Sequence, residues 1–286
     1  MKLSRLIMFG SAAMFAIFTT WIVSPSLGRA QESTTMACAT SIAACGCTIT
    51  KTGTYTVTTD LSSTQGVTSA GDCIAIKASS VILNADEHSI TGPGSGTSTG
   101  AGIDVLKSSS GAFIEANSNL DDWKYGLEVQ GKNTIVDDSD DADNVVGVFL
   151  SGATGANINA FEANNNTIYG VWIKGGKGNQ VNSFSSIDNT ETGVYIGCHD
   201  DDTRGTKCAG VPSSSGNRIY DFRSGGNGDA GMVIDLGNQE NLLIGASIGA
   251  NTGGLDSIDE NPSCGTDQWI DDGSVSFGVT SQSCIP

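Results

Sequence analysis

Apolar and polar positions along this chain recur in a fixed phrase, a glycine followed by two aliphatic residues that flank one variable position. The phrase reads Gly102-Ile103-Asp104-Val105, Gly126-Leu127-Glu128-Val129, Gly147-Val148-Phe149-Leu150, Gly170-Val171-Trp172-Ile173, Gly193-Val194-Tyr195-Ile196 and Gly231-Met232-Val233-Ile234, with one more glycine at Gly254. Successive glycines stand 24, 21, 23, 23, 38 and 23 residues apart, so a single insertion accounts for the long interval. Side chains alternate across a strand, which sends both aliphatics to one side and the variable residue to the other.

A second phrase follows in most coils: Asn133-Thr134-Ile135, Asn179-Gln180-Val181, Asn217-Arg218-Ile219 and Asn241-Leu242-Leu243, with Ala156-Asn157-Ile158 in the same register. In three coils an aromatic stands three residues past the aliphatic, at Phe161, Phe184 and Phe222. A period of about 22 residues, short strands and no amphipathic helical pattern predict an all-β parallel β-helix whose turns stack about 4.8 Å apart. The phenylalanines are expected to stack in the interior. The asparagines are expected to form a hydrogen-bonded ladder at a turn, because Asn bonds neighbouring backbone and tolerates left-handed conformations.

The boundaries follow from the same pattern. Residues 1–30 read as a signal peptide, with Lys2 and Arg5 ahead of an apolar run from Leu6 to Val23 and small residues around Ala30; an uncleaved anchor is the alternative. Residues 31–286 read as a single β-helix domain: N-terminal cap and first turns over 31–100, repeat coils over 101–254 and C-terminal cap over 255–286.

Charge narrows the partners. The chain carries 31 acidic and 14 basic residues, a formal charge of −17, and loses three of the basic residues if cleaved after Ala30. Nucleic acid is thereby disfavoured as a partner, and an acidic polysaccharide would need a local basic patch or bridging Ca²⁺. Eight cysteines in an exported chain suggest disulfides. Cys198 with Cys208 and Cys264 with Cys284 are suggested by proximity, while Cys38, Cys45, Cys47 and Cys73 crowd the N-terminal region.

The stretch from Cys45-Gly46-Cys47-Thr48-Ile49 to Leu61, then Cys73-Ile74-Ala75-Ile76-Lys77-Ala78, Val81-Ile82-Leu83 and His88-Ser89-Ile90-Thr91-Gly92, resembles the opening of secreted right-handed parallel β-helix proteins of the pectate-lyase-like superfamily. That family's usual glycine before the histidine is replaced here by Glu87. The resemblance implies right-handed coiling and an extracellular or cell-surface setting. It also implies a superfamily of polysaccharide lyases, glycoside hydrolases and members without assigned activity, among which fold does not choose.

The outward positions of the glycine phrase run Asp104, Glu128, Phe149, Trp172, Tyr195, Val233 and Asp256. Phe149, Trp172 and Tyr195 make an aromatic stripe that could stack on sugar rings, or could be covered by the tail or the insertion. The insertion, residues 197–216, carries His199, Asp200, Asp201, Asp202, Arg204 and Lys207; its three consecutive acids are the candidate Ca²⁺ ligands. Lys174 or Arg204 would serve as a lyase base, with His199 as a polar partner. Asp104 and Glu128, one coil apart, are the candidate carboxylate pair for a hydrolase. The run from Asp137 to Asp143 is expected to be a charged turn between Ile135 and Val145, with Ca²⁺ binding as the alternative. The function these features support is a secreted protein that binds, and in one version cleaves, an extracellular polysaccharide along the aromatic stripe. A non-catalytic structural or adhesive surface module is the alternative.

Overall fold

The computed structural model describes residues 36–286 apart from Ser69, Asp86 and the segments 200–209 and 272–275. Two long parallel sheets dominate. The glycine phrases build a ten-stranded sheet running from Met36–Ala37 to Ser257–Asp259, and the second phrases build a 12-stranded sheet running from Ser41–Ile42 to Gln268–Ile270. Each strand pairs in parallel with its counterpart one coil away, as in Val148↔Val171 and Val171↔Val194. The chain is a parallel β-helix, wound in the right-handed sense that crossover connections between parallel strands follow.

Both aliphatics of every glycine phrase line the bore. Ile103, Leu127, Val148, Val171, Val194 and Met232 are fully buried, and so are Val105, Val129, Leu150, Ile173, Ile196 and Ile234. From the second sheet Ile114, Val136, Ile158, Val181, Ile219 and Leu243 meet them. In one coil the inward residue is Val136, and Ile135 lies exposed, so the phrase at Asn133 is displaced by one residue from the expected register.

Two residues past each inward aliphatic the chain takes a left-handed turn at Asp138, Ala160, Ser183, Asp221 and Gly245, with Asn117 in the equivalent place. Rotation there returns the next residue to the bore, which explains the spacing of three between aliphatic and aromatic. Phe161, Phe184 and Phe222 stack with ring centroids 4.7 and 5.0 Å apart and planes within 5° of parallel. The same conformation appears at Glu87, with φ 61°, so the glutamate accepts the turn that a glycine would take without strain.

Two asparagine ladders run along the stack. Asn179 Nδ2 donates to Asn217 Oδ1 at 2.9 Å and Asn217 Nδ2 to Asn241 Oδ1 at 3.0 Å. The second, absent from the sequence reading, joins Asn166, Asn189, Asn227 and Asn251 through bonds of 3.0, 3.0 and 2.9 Å. Each Oδ1 also accepts a backbone N–H from the preceding coil, as Asn189 Oδ1 does from Asn166, so buried turns leave few polar groups unsatisfied.

At the C-terminus the coil continues into the segment expected to be a cap. Met232↔Ser257 and Leu243↔Trp269 keep the ladder register, which puts Asp256 in the glycine position and Ile258, not Asp256, in the outward column. Disulfides join Cys38 to Cys47, Cys45 to Cys73 and Cys264 to Cys284. Cys198 is disulfide-bonded as well; its suggested partner Cys208 lies outside the described residues, as do residues 1–30. Three disulfides in a small-coiled scaffold point to an oxidising setting outside the cytosol. No helix among the described residues is long and apolar enough to cross a membrane.

Candidate functional site

The aromatic stripe leaves the bore as expected, with Phe149↔Trp172 and Trp172↔Tyr195 in register. Its exposure is a correction. Phe149, Trp172 and Tyr195 are 5%, 4% and 1% exposed, sealed in a second apolar cluster with Val146, Tyr169, Val233 and Ile258. Their faces are occupied by one another: Phe149 stacks on Trp172 at 4.4 Å, Tyr169 on Tyr195 at 4.7 Å, and Tyr169 meets Trp172 edge-on. A sugar ring has no free face to stack upon there. Rings on consecutive strands bury their apolar surface against one another, so the cluster serves packing.

The polar partners proposed from sequence gather at its edge. Lys174 Nζ stands 4.7 Å from the Trp172 ring centroid, a cation–π contact, and Trp172 Nε1 donates to Gly197 O at 2.9 Å. His199 Nε2 lies 3.4 Å from Asp235 Oδ2, and the same carboxylate accepts the Tyr195 hydroxyl at 3.1 Å. Burial, followed by the Asp235 charge, pushes the Tyr195 phenol far above its ordinary range. Cys198, His199 and Asp235 hold their donor atoms within 4.8 Å of one another. A metal does not fit, because the Cys198 sulfur is committed to a disulfide and has no thiolate to offer. Asp200, Asp201, Asp202 and Arg204, the Ca²⁺ ligands and second base expected from sequence, lie outside the described residues.

The carboxylate pair of the stripe is also closed off. Asp104 and Glu128 are register neighbours, but Asp104 is 3% exposed and accepts the Gln130 amide at 3.2 Å. Burial, with Glu128 and Asp72 adding repulsion, pushes Asp104 up to about 8, and burial with Asp72 pushes Glu128 up to about 7.

An open groove exists elsewhere, along the left-handed bend of the second sheet. It has a volume of 780 Å³ and crosses six coils, a run of about 24 Å at the parallel-strand spacing. Two columns wall it. One is the bend column of Asn117, Asp138, Ala160, Ser183, Asp221 and Gly245; the other is the outward column of Asn119, Asp140, Glu162, Ser185, Arg223 and Ser247. The phenylalanine stack lies beneath as a rigid floor. Asp137 to Asp140, expected to be part of a charged turn, therefore belong to the strand Ile135–Asp140 that lines this groove.

Neighbouring carboxylates meet there. Asp140 and Glu162 occupy adjacent coils in one bridge column. Burial, then the charges of Glu162 and Asp143, push the Asp140 carboxyl up. Asp121 is pushed up to about 6 by burial and by Asp140, Asp143 and Asp122. From sequence Asp140 was expected only within a charged turn and Glu162 was not singled out, because the second phrase was followed only through its inward members. The signal was present in the position that follows each interior phenylalanine.

Comparisons with known proteins place the fold. No protein-family model matches the sequence and no curated protein matches it. Among solved structures, the chain is similar to the Dettilon tailspike protein gp208, with TM-score 0.53 and 12% identity over 84% of this chain and 60% of that one. It also aligns with the periplasmic alginate epimerase AlgG, TM-score 0.41 and 15% identity over 71% and 60%. A third is pectate lyase Pel9A, TM-score 0.34 and 13% identity over 82% and 70%. The chain spans about 60% of the length of the tailspike it matches. At these identities the likeness concerns the fold alone, a parallel β-helix.

Proposed function

We propose that this protein binds an extracellular polysaccharide in the six-coil groove of the second sheet. What supports this reading is the continuity of the groove, an open trough of carboxylates, amides and hydroxyls repeated every coil on a rigid stack. Paired sugar hydroxyls bond such acceptors and donors, and a trough of this length suits a chain of sugars rather than one small molecule. Its acid content, Asp138, Asp140, Glu162 and Asp221 against Arg223, favours neutral or amino sugars over uronates.

A second reading, cleavage, is favoured by one observation. Asp140 and Glu162 occupy adjacent coils, about 4.8 Å apart at the backbone, a spacing compatible with the carboxylate pair of retaining glycoside hydrolases, and the raised Asp140 is the member suited to act as acid. Elimination has less support, since Lys174 is held over Trp172 outside the groove.

Calorimetric titration of neutral and amino-sugar oligosaccharides tests both. Asp140→Asn/Asp221→Asn is expected to weaken binding at least tenfold, and Glu162→Gln to abolish any release of reducing ends. Unchanged affinity in the double variant would remove the groove from consideration. Binding without reducing ends would leave the non-catalytic adhesive module.

A further inference from the structure

The groove changes character along its length. Its floor column runs Ser118, Ser139, Phe161, Phe184 and Phe222, so the two N-terminal coils place hydroxyls where the next three place rings. Ser139 gives its hydroxyl to Asp141 Oδ2 at 2.7 Å. The Ser118 hydroxyl, in a groove-lining residue only 6% exposed, has no hydrogen-bond partner. Acids collect around the same two coils. Asp121 ends the strand Phe113–Asp121, and Asp140 ends the strand Ile135–Asp140 and pairs with Glu162 one coil on. Asp122 and Asp143 lie in the connections that follow those strands. The charges acting on Asp121 are those of Asp140, Asp143 and Asp122, and those acting on Asp140 are Glu162 and Asp143, all of one sign.

We propose that the N-terminal end of the groove is a subsite for a sugar unit bearing a free ammonium group, which makes the ligand a polysaccharide of unacetylated amino sugars. The inference rests on the groove reading and specifies its substrate class. A buried hydroxyl is ordinarily paired with protein or ordered water. An unpaired one in the floor, beside carboxylates that repel one another, points to an occupant that donates hydrogen bonds and carries positive charge. A divalent ion fits less well. Among the described residues only Cys198, His199 and Asp235 bring three ligand atoms within 4.8 Å of one another, so these acids form no ready cage for Ca²⁺, which takes about six to eight oxygens. An ammonium is a compact charge with three donors and bonds spaced acceptors one at a time. An N-acetylated unit would bring an uncharged amide to the same carboxylates and leave their repulsion in place.

The test is calorimetric titration of the intact protein with a glucosamine hexamer, its fully N-acetylated counterpart, hexalysine and Ca²⁺. The glucosamine hexamer is expected to bind about tenfold tighter than the N-acetylated one, with an affinity that falls as salt rises. Asp121→Asn/Asp143→Asn should bring the ratio of the two affinities to about one, and Ser118→Ala should lower it about threefold. Glu115→Gln, at an exposed acid of the same strand outside the groove, should leave both affinities unchanged. Circular dichroism and melting of the double variant separate loss of the subsite from loss of the fold. Equal affinity for the two hexamers, no binding of either, tighter binding of hexalysine or Ca²⁺ than of the glucosamine hexamer, or a full preference in the folded double variant would each overturn the proposal. Failure of the groove itself reads differently, as unchanged affinity for both hexamers in Asp140→Asn/Asp221→Asn.

Discussion

Asn241 donates its side-chain amide to Asp267 Oδ1 at 3.0 Å, and the same oxygen accepts the Asn241 backbone N–H at 2.8 Å. An aspartate ends this ladder because the last coil has no further asparagine to receive the amide hydrogens. The second ladder ends in the same way, where Asn251 Nδ2 meets Asp256 Oδ1 at 2.8 Å. Both ladders therefore have a polarity: each Oδ1 accepts from the preceding coil, while an interior Nδ2, as at Asn217 and Asn189, donates to the Oδ1 of the following coil and to a backbone carbonyl of the preceding one. Substituting an interior member strands groups on both sides, so Asn217→Ala and Asn189→Ala should each cost about 1–3 kcal/mol in urea unfolding. Asn133→Ala, at an exposed position outside the ladders but with φ 50°, should cost about 1 kcal/mol, from placing alanine in a left-handed turn rather than from lost hydrogen bonds.

Buried acids set the pH dependence. Asp104, Glu128, Asp267 and Asp121 stand at about 8, 7, 7 and 6 in the folded chain, against ordinary values of 3.8 and 4.5. Between about pH 4 and pH 8 the folded state thus holds more protons than the unfolded one, and stability falls as pH rises through that window. Thermal midpoints should be higher at pH 5 than at pH 8. Asp104→Asn should raise the midpoint at pH 8 and leave it nearly unchanged at pH 5. A midpoint that climbs with pH over this range would contradict the assignment. Asp256 does not add to this slope: burial pushes it up, but N–H bonds from Val279 and Asn251 outweigh that and hold it low.

The aromatic cluster is a packing feature and should behave as one. Trp172→Ala is expected to cost about 3–5 kcal/mol in unfolding free energy, while the variant binds sugar with unaltered affinity at temperatures where it remains folded. A loss of affinity without loss of stability would return the stripe to the binding surface.

Non-glycine residues in left-handed turns carry removable strain. Ala160 has φ 54° at an exposed position and Glu87 has φ 61°. Ala160→Gly and Glu87→Gly should each stabilise the protein by about 1 kcal/mol, the opposite of the usual effect of glycine. Chemical denaturation of the two variants measures this directly.

The Cys264–Cys284 bond closes the last coil over a separation of 20 residues. Replacing both with serine should lower stability by about 3 kcal/mol through the freer unfolded chain, and non-reducing peptide mapping should recover the linked fragments from the parent protein.

Periodicity carried the architecture. The aliphatic pair after each glycine could point only inward, because alternation along a strand is local geometry, and the interior phenylalanines followed from the same count. The pairing of Cys264 with Cys284 was legible for the same reason, both being confined to one short tail. Which outward residues meet solvent was not legible: alternation assigns Trp172 to the outside of the bore but says nothing about what lies over it, and burial at 4% is set by atoms from other coils. The groove depended on a change of direction at Ser183 and Asp221, which places Asp140 beside Glu162 and carries the outward face into a concave wall. The acid subsite at its end likewise exists only because Asp121, Asp140 and Asp143 are brought within reach by stacking. Distances along the chain determine the coil, whereas access and charge environment arise between coils, where sequence spacing has no direct expression.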